Sequence, residues 1–236
     1  MIYVLSDIHG NESNFNSILN QIHLRPEDTL YVLGDVIDRY PGGIRILRRL
    51  MAMDNVKMIP GNHEYMMLRA LGHPLDDNYD DGGAMAHWYR NGGNLTHAHW
   101  KRIRKSLRRE IIEYLHSLPL NRDVHVNGTH YKLVHGGAVE EFDPADPQYK
   151  SPTYFAVWKR FQKDYTFSGD YTLIFGHTPT RYFQDISPLE IFQSGQLLGI
   201  DCGSGYPAEG ADGYLGRLAC LRLDDGKVFY SGEGRQ

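Results

Sequence analysis

The sequence predicts an α/β protein built on two sheets, and three observations carry that prediction. Between Ile2 and Ile59 short apolar runs alternate with amphipathic segments in the order β-α-β-α-β. Beyond Pro119 the chain turns to strands, one pair of them closed by Asn127-Gly128. The apolar runs also end in glycine, aspartate or histidine, residue types suited to the crevice at the carboxyl ends of strands in open α/β sheets.

Taken in order, Ile2 to Leu5 reads as the first strand. Ser6-Asp7-Ile8-His9-Gly10 follows it and offers a carboxylate and an imidazole two residues apart. Phe15, Ile18, Leu19 and Ile22 recur at helical spacing, and Pro26 is expected to end that helix. Leu30 to Leu33 is the second strand. Gly34 after it lets the backbone turn sharply, so that Asp35 leaves the sheet end, with Asp38 and Arg39 on the same loop. Ile44, Leu47, Leu50 and Met51 form a second amphipathic helix. Val56 to Ile59 is the third strand, broken by Pro60-Gly61 just before Asn62 and His63.

From about 65 to 119 the pattern becomes a polar, mostly helical insertion expected to cap the site. Its acidic stretch, Asp76 to Gly82, lacks the glutamate that ends an EF-hand loop, so a solvated acidic loop is expected and not a calcium site. Lys101 to Arg109 carries six basic residues, yet Ile103, Leu107, Ile111 and Leu115 draw an apolar stripe through it. A charged outer face on a cap helix accounts for that pattern better than a nucleic-acid surface. His87-Trp88-Tyr89-Arg90-Asn91-Gly92-Gly93 has two readings: a packed helix ending in a glycine turn, or an aromatic face, Trp88 or Tyr89, that stacks on a base or lines a peptide groove.

In the last third, Val124 to Val126 and Thr129 to Val134 form a type I′ hairpin that delivers His135. A short helix is expected around Phe155 to Phe161, and Tyr171 to Phe175 is a strand ending at Gly176-His177. The tail, from Leu197 to Gly203, Arg217 to Leu223 and Val228 to Tyr230, reads as three antiparallel strands of a second sheet packed on the first.

At 236 residues the chain can bury about three quarters of its unfolded surface, and a single domain over 1–236 is expected. A net charge of −4 provides no global attraction to nucleic acid or an anionic membrane. Two cysteines, and neither a charged leader nor a long apolar run, lead to the expectation of a cytoplasmic protein with no membrane partner.

Six groups at strand ends, Asp7, His9, Asp35, Asn62, His135 and His177, supply oxygen and nitrogen donors with no thiolate. That set suits manganese, iron(II) or zinc. It holds two divalent ions only if one ligand bridges, and the central Asp35 is the expected bridge. Asp7 and His9 would then complete one ion's ligands, and Asn62, His135 and His177 the other's. Ordinary surface or core roles suffice for His23, His73, His97, His99 and His116.

The five segments Asp7-Ile8-His9-Gly10, Gly34-Asp35-Val36-Ile37-Asp38-Arg39, Gly61-Asn62-His63-Glu64, His135-Gly136-Gly137 and Gly176-His177-Thr178 resemble, in order, the motifs of the calcineurin-like metallophosphoesterases. Within that family they are most similar to the branch of serine/threonine phosphoprotein phosphatases and symmetrical diadenosine tetraphosphate hydrolases. The resemblance implies a four-layer α/β/β/α sandwich of two mixed sheets with outer helices, and a di-metal site for two divalent ions, for which manganese is expected first and iron or zinc as alternatives. It further implies His63 as general acid, Asp38 as its orienting partner, and Arg39 as a phosphate-binding group beside Asn62. Val157-Trp158-Lys159-Arg160 resembles the segment of a second phosphate-binding arginine, which gives Arg160. Two cations about 3.5–4 Å apart would hold a bridging hydroxide for in-line attack on phosphorus.

Two departures from the family pattern stand out. Tyr40 occupies the place of a glycine after Arg39, and Thr178-Pro179 replaces a second histidine typical of cyclic-nucleotide diesterases. The expected substrate is a phosphorylated protein or a small phosphoester, with the phosphoserine/phosphothreonine reading placed first and dinucleoside polyphosphates as the alternative. A non-catalytic RNA- or protein-binding module is a third reading, opposed by the complete donor set.

Overall fold

The computed structural model describes residues 1–76, 82–165, 169–187, 189–206 and 216–232. Strand β1 (Ile2–Leu5) runs parallel to β2 (Thr29–Val32), which runs parallel to β3 (Val56–Met58). Helices α1 (Glu12–Ile22) and α2 (Gly43–Met51) make the connections. Helix α1 starts where the Asn11 side chain accepts the Asn14 N–H, and it stops at His23 in the left-handed conformation, three residues before the proline expected to end it. The helical stripes of the sequence are the buried faces: Phe15, Ile18 and Ile22 on α1, and Ile44, Leu47 and Leu50 on α2.

Among the described residues of the insertion the regular structure is all helical, joined by short turns. Helix α3 (Asn62–Ala70) starts it, followed by α4 (Ala84–Arg90), α5 (Gly93–Trp100) and α6 (Lys105–Ser117). Helix α6 buries Leu107, Ile111 and Leu115, leaves Lys105 and Arg109 outward and lays the half-buried Arg108 over the Trp100 ring, while Ile103 packs just ahead of it. Of the acidic stretch, Asp77 to Asp81 lies outside the described residues.

The second sheet contains β4 (Asn121–Val126), β5 (Thr129–Val134), β6 (Thr172–Phe175), β7 (Phe192–Ser194) and β8 (Leu197–Gly199), in the order β4-β5-β6-β8-β7. Asn127 and Gly128 both take positive φ between β4 and β5, as the type I′ turn requires. Helix α7 (Pro152–Trp158) is capped by the Ser151 hydroxyl and ends before Arg160 and Phe161.

The tail departs from the expected three-stranded antiparallel unit. Strand β8 is parallel to β6, and its antiparallel partner β7 lacked a sequence signal. The last two strands, β9 (Ala219–Arg222) and β10 (Val228–Tyr230), return to the first sheet, where β9 pairs antiparallel with β1. Apolar runs of three or four residues define a strand but not its partner, and these partners are set by long-range packing.

Side-chain alternation builds the layers. Val4 and Leu33 from the first sheet side meet Leu133 and Ile174 of the second in one buried cluster, so the sheets face each other. Tyr3, Leu5, Leu30 and Val32 turn the other way, onto α1 and α2. On the far side of the second sheet Val134, Leu173 and Phe175 are covered by Phe161 and Phe183. The β1–β2–β3 and β5–β6–β8 parallel strands thereby deliver their carboxyl ends to one edge of the sandwich.

Candidate active site

At that edge the backbone is unusually constrained. Among the described residues nine non-glycine positions have positive φ, and six of them are Asp7, His9, Asp35, Asp38, Arg39 and His177. A left-handed conformation costs an L-residue about 1–2 kcal/mol, so its concentration here marks a site held by its surroundings. The strand-end loops interlock through His9 N–H to Asp35 O (2.8 Å), Gly10 N–H to Val36 O (2.7 Å) and Gly176 N–H to His135 O (3.0 Å). The buried Glu64 carboxylate accepts N–H groups of Asp35, Val36 and Gly61, each at 2.9 Å. It ties the loop after β2 to the start of α3. A Cβ on Gly61 would overlap Asp35 Oδ1, so glycine is required where the two loops touch.

All six expected donors are buried and gathered around Asp35. Asp35 Oδ2 lies 3.6 Å from His9 Nε2 and 3.8 Å from His63 Nε2, while Oδ1 lies 3.5 Å from His135 Nε2. Asn62 Oδ1 stands 3.0 Å from His135 Nε2 and 2.8 Å from His177 Nδ1. His9, Asp35 and His63 form one compact donor group; Asp35, His135 and His177 form a second, and Asp35 is common to both. Asp7 Oδ1 is 3.8 Å from His9 Nε2, and the Asp7 carboxylate also accepts the His177 N–H.

The tautomers fit a divalent metal. His135 donates Nδ1–H to the Leu33 carbonyl (2.6 Å) and His9 donates Nδ1–H to the Ile37 carbonyl (3.3 Å), leaving both Nε2 lone pairs among the carboxylates. Burial lowers the pKa of His9, His135 and His177, toward the neutral imidazole that ligation requires. Burial pushes the Asp35 carboxyl up, but His135 and His63 outweigh it and hold it below the usual range, so the shared carboxylate is ionised. Asp7 behaves oppositely: burial, with Asp201 and Asp35 adding repulsion, raises it well above the carboxylate range.

His63 has a different setting. Its Nδ1–H donates to Asp38 Oδ2 at 2.7 Å, and its Nε2 is 3.4 Å from the Arg39 guanidinium. Burial pulls this imidazole toward the neutral form, but Asp35 and Asp38 outweigh it and raise its pKa above the ordinary value. Arg39 and Arg160 line a cleft of about 510 Å³ together with His177, Thr178, Asp201 and Tyr206. Tyr40 donates its hydroxyl to the Tyr206 carbonyl at 2.7 Å, so the residue that departs from the family pattern ties the Arg39 loop to the cleft wall.

The aromatic cluster of the cap resolves against base stacking by Trp88. Its indole is wholly buried and donates Nε1–H to Asp38 Oδ2 at 2.8 Å. Tyr89 is 41% exposed and its hydroxyl pairs with His97. Two site residues escaped the sequence reading, and a third was named for another role. Glu64 was visible only as a motif letter, and Asp201 follows the end of β8, where the strand-end rule could have found it; Trp88 was singled out as a stacking face, but its bond to Asp38, fifty positions away, carries no local signal.

Two facing sheets with a shared carboxylate between two histidine-containing donor groups define a metal-binding phosphoesterase scaffold. The chain belongs to the calcineurin-like phosphoesterases, whose family model matches residues 1–200. It is 30% identical over 143 residues to a symmetrical bis(5'-nucleosyl)-tetraphosphatase of Acidovorax ebreus (strain TPSY). That match takes in 60% of this chain and 45% of the relative, so it spans under half of the relative's length. In fold it is similar to a crystal structure provisionally named a diadenosine tetraphosphatase, with TM-score 0.62, 17% identity and 97% and 91% of the two chains covered. It also resembles a cold-active protein-tyrosine phosphatase of a Shewanella species, with TM-score 0.57, 18% identity and 98% and 80% covered.

Proposed function

We propose that the protein is a di-metal phosphoester hydrolase in which His63, oriented by Asp38, protonates the departing oxygen. The observation that carries this reading is the 2.7 Å contact between His63 Nδ1 and Asp38 Oδ2 beside the carboxylate common to both donor groups. Asp7, His9, Asp35, Asn62, His135 and His177 are the residues that would hold the ions. When bound, two divalent ions supply a hydroxide nucleophile at neutral pH and Lewis-acid neutralisation of phosphoryl charge.

The chain's own residues do the rest. Arg39 and Arg160 offer guanidinium donors to the non-bridging phosphoryl oxygens in the cleft. Asp38 accepts the Nδ1 proton of His63, which fixes the ring with Nε2 available to carry and release a proton. Against burial, Asp35 and Asp38 raise the pKa of His63, which favours the protonated form that a general acid needs.

For substrate, we place dinucleoside polyphosphates ahead of phosphoproteins, reversing the order drawn from sequence. The support is the relatives' name over 60% of this chain; the protein phosphatases similar in fold share less than a fifth of their residues. The test compares kcat/KM for diadenosine tetraphosphate and a phosphothreonine peptide, with manganese and with a chelator. The expected result is a preference of about tenfold or more for the dinucleotide, a difference of about 1.4 kcal/mol, and loss of both activities on chelation. A preference for the phosphopeptide would return the serine/threonine phosphatase reading to first place.

A further inference from the structure

The cap insertion reaches into the catalytic loop. Asp38 and Arg39 are consecutive residues with φ of 72° and 65°, and the α4–α5 hairpin holds both. Asp38 N–H donates to Thr96 Oγ1 at 3.0 Å, and Arg39 N–H donates to the Gly92 carbonyl at 3.2 Å. The third contact is chemical as well as structural. Trp88 Nε1–H donates to Asp38 Oδ2 at 2.8 Å, the same oxygen that accepts His63 Nδ1–H at 2.7 Å. Asp38 Oδ1 is buried and accepts no hydrogen bond. Two N–H donors thus converge on one carboxylate oxygen, and both are needed to fix how the carboxylate is turned. With only one donor, Asp38 can rotate about its Cβ–Cγ bond and present either oxygen to the imidazole.

From this geometry we propose that Trp88 is a positioning residue for the His63–Asp38 pair, and that the cap hairpin serves the chemistry by clamping this loop. The inference rests on the general-acid reading of His63. The indole N–H supplies a second point of attachment for Asp38, so the imidazole it holds keeps one orientation toward the leaving oxygen. A charge-assisted hydrogen bond lost at this point costs a factor of about ten or more in rate where leaving-group protonation limits turnover.

The test uses the manganese-loaded full chain with Trp88→Phe, which removes the N–H and keeps an aromatic ring. Thr96→Val removes a different clamp contact and leaves the indole intact. Expected for Trp88→Phe is a fall in kcat of about tenfold on phenyl phosphate, with KM little changed and a smaller fall on p-nitrophenyl phosphate, whose leaving group needs less proton assistance. Thr96→Val should repeat the pattern more weakly. Trp88→Phe added to His63→Asn should cause no further fall. In metal-free ¹⁵N-labelled protein the Trp88 indole N–H should exchange slowly with solvent and shift in Asp38→Asn. Equal proportional losses of Trp88→Phe on the two esters, while His63→Asn discriminates between them, would overturn the positioning role alone. If His63→Asn itself fails to discriminate, the general-acid reading falls and the positioning role with it. A rapidly exchanging indole N–H insensitive to Asp38 overturns the inference whatever the rates.

Discussion

Asp7 and Asp35 show how two carboxylates in one site acquire different duties. Asp35 is ionised by the imidazoles around it, whereas Asp7 is held toward its protonated form by burial and by two neighbouring carboxylates. Glu64 and Asp201 are pushed the same way, to about 7 and about 6. A carboxyl whose folded pKa exceeds its unfolded value stabilises fully below the unfolded value and loses that contribution as the pH rises through the folded one. The metal-free site is therefore penalised at neutral pH, and a divalent ion relieves the penalty. Ion binding needs Asp7 ionised, so it releases a proton at any pH below the raised value, and affinity weakens on acidification. Manganese titrated by calorimetry in two buffers of different ionisation enthalpy should show net proton release at about pH 6 and a weaker Kd than at about pH 7.5. A Kd unchanged between the two, with no proton release, contradicts this account of Asp7. The donors themselves were legible in the sequence because each sits where an apolar run stops. The roles of Glu64 and Trp88 were not, since their partners are backbone amides and a carboxylate in other segments, and no periodicity encodes such pairings.

At the scale of elements, the α4–α5 hairpin links the cap to the site. Gly93 opens α5 with no side chain because the Trp88 indole occupies the space where its Cβ would stand. The sequence marked this stretch through its paired glycines and left two readings for it. The packed helix ending in a glycine turn is the one observed, and the packing is directed at Asp38. Gly93→Ala should displace the indole and destabilise the fold by about 1–3 kcal/mol, the usual cost of overpacking a buried contact. Urea denaturation of the metal-free protein measures this. An unchanged midpoint would mean that the hairpin yields without strain. The strands show the opposite balance of legibility. Alternation and turn chemistry located the β4–β5 hairpin, yet three-residue β7 exists only through its pairing with β8, and the return of β9 and β10 to the first sheet depends on pairing with Val4 and its neighbours far away in the chain.

For the molecule as a whole, the two sheets matter because both supply donors, four from the first and two from the second. Asp7, His9, Asp35 and Asn62 come from loops of the first sheet, and His135 and His177 from β5 and β6 of the second. Neither sheet alone builds the site, so packing across the Val4, Leu33, Leu133 and Ile174 layer sets the distances between donors. Among the described residues no helix is long and apolar enough to cross a membrane. The central claim is that these donors hold two ions through Asp35, and elemental analysis of bound manganese against hydrolysis in the wild type and Asp35→Asn tests it most directly. The account predicts two ions per wild-type chain, with metal and turnover lost together in Asp35→Asn, whereas full turnover with at most one ion per chain would contradict it.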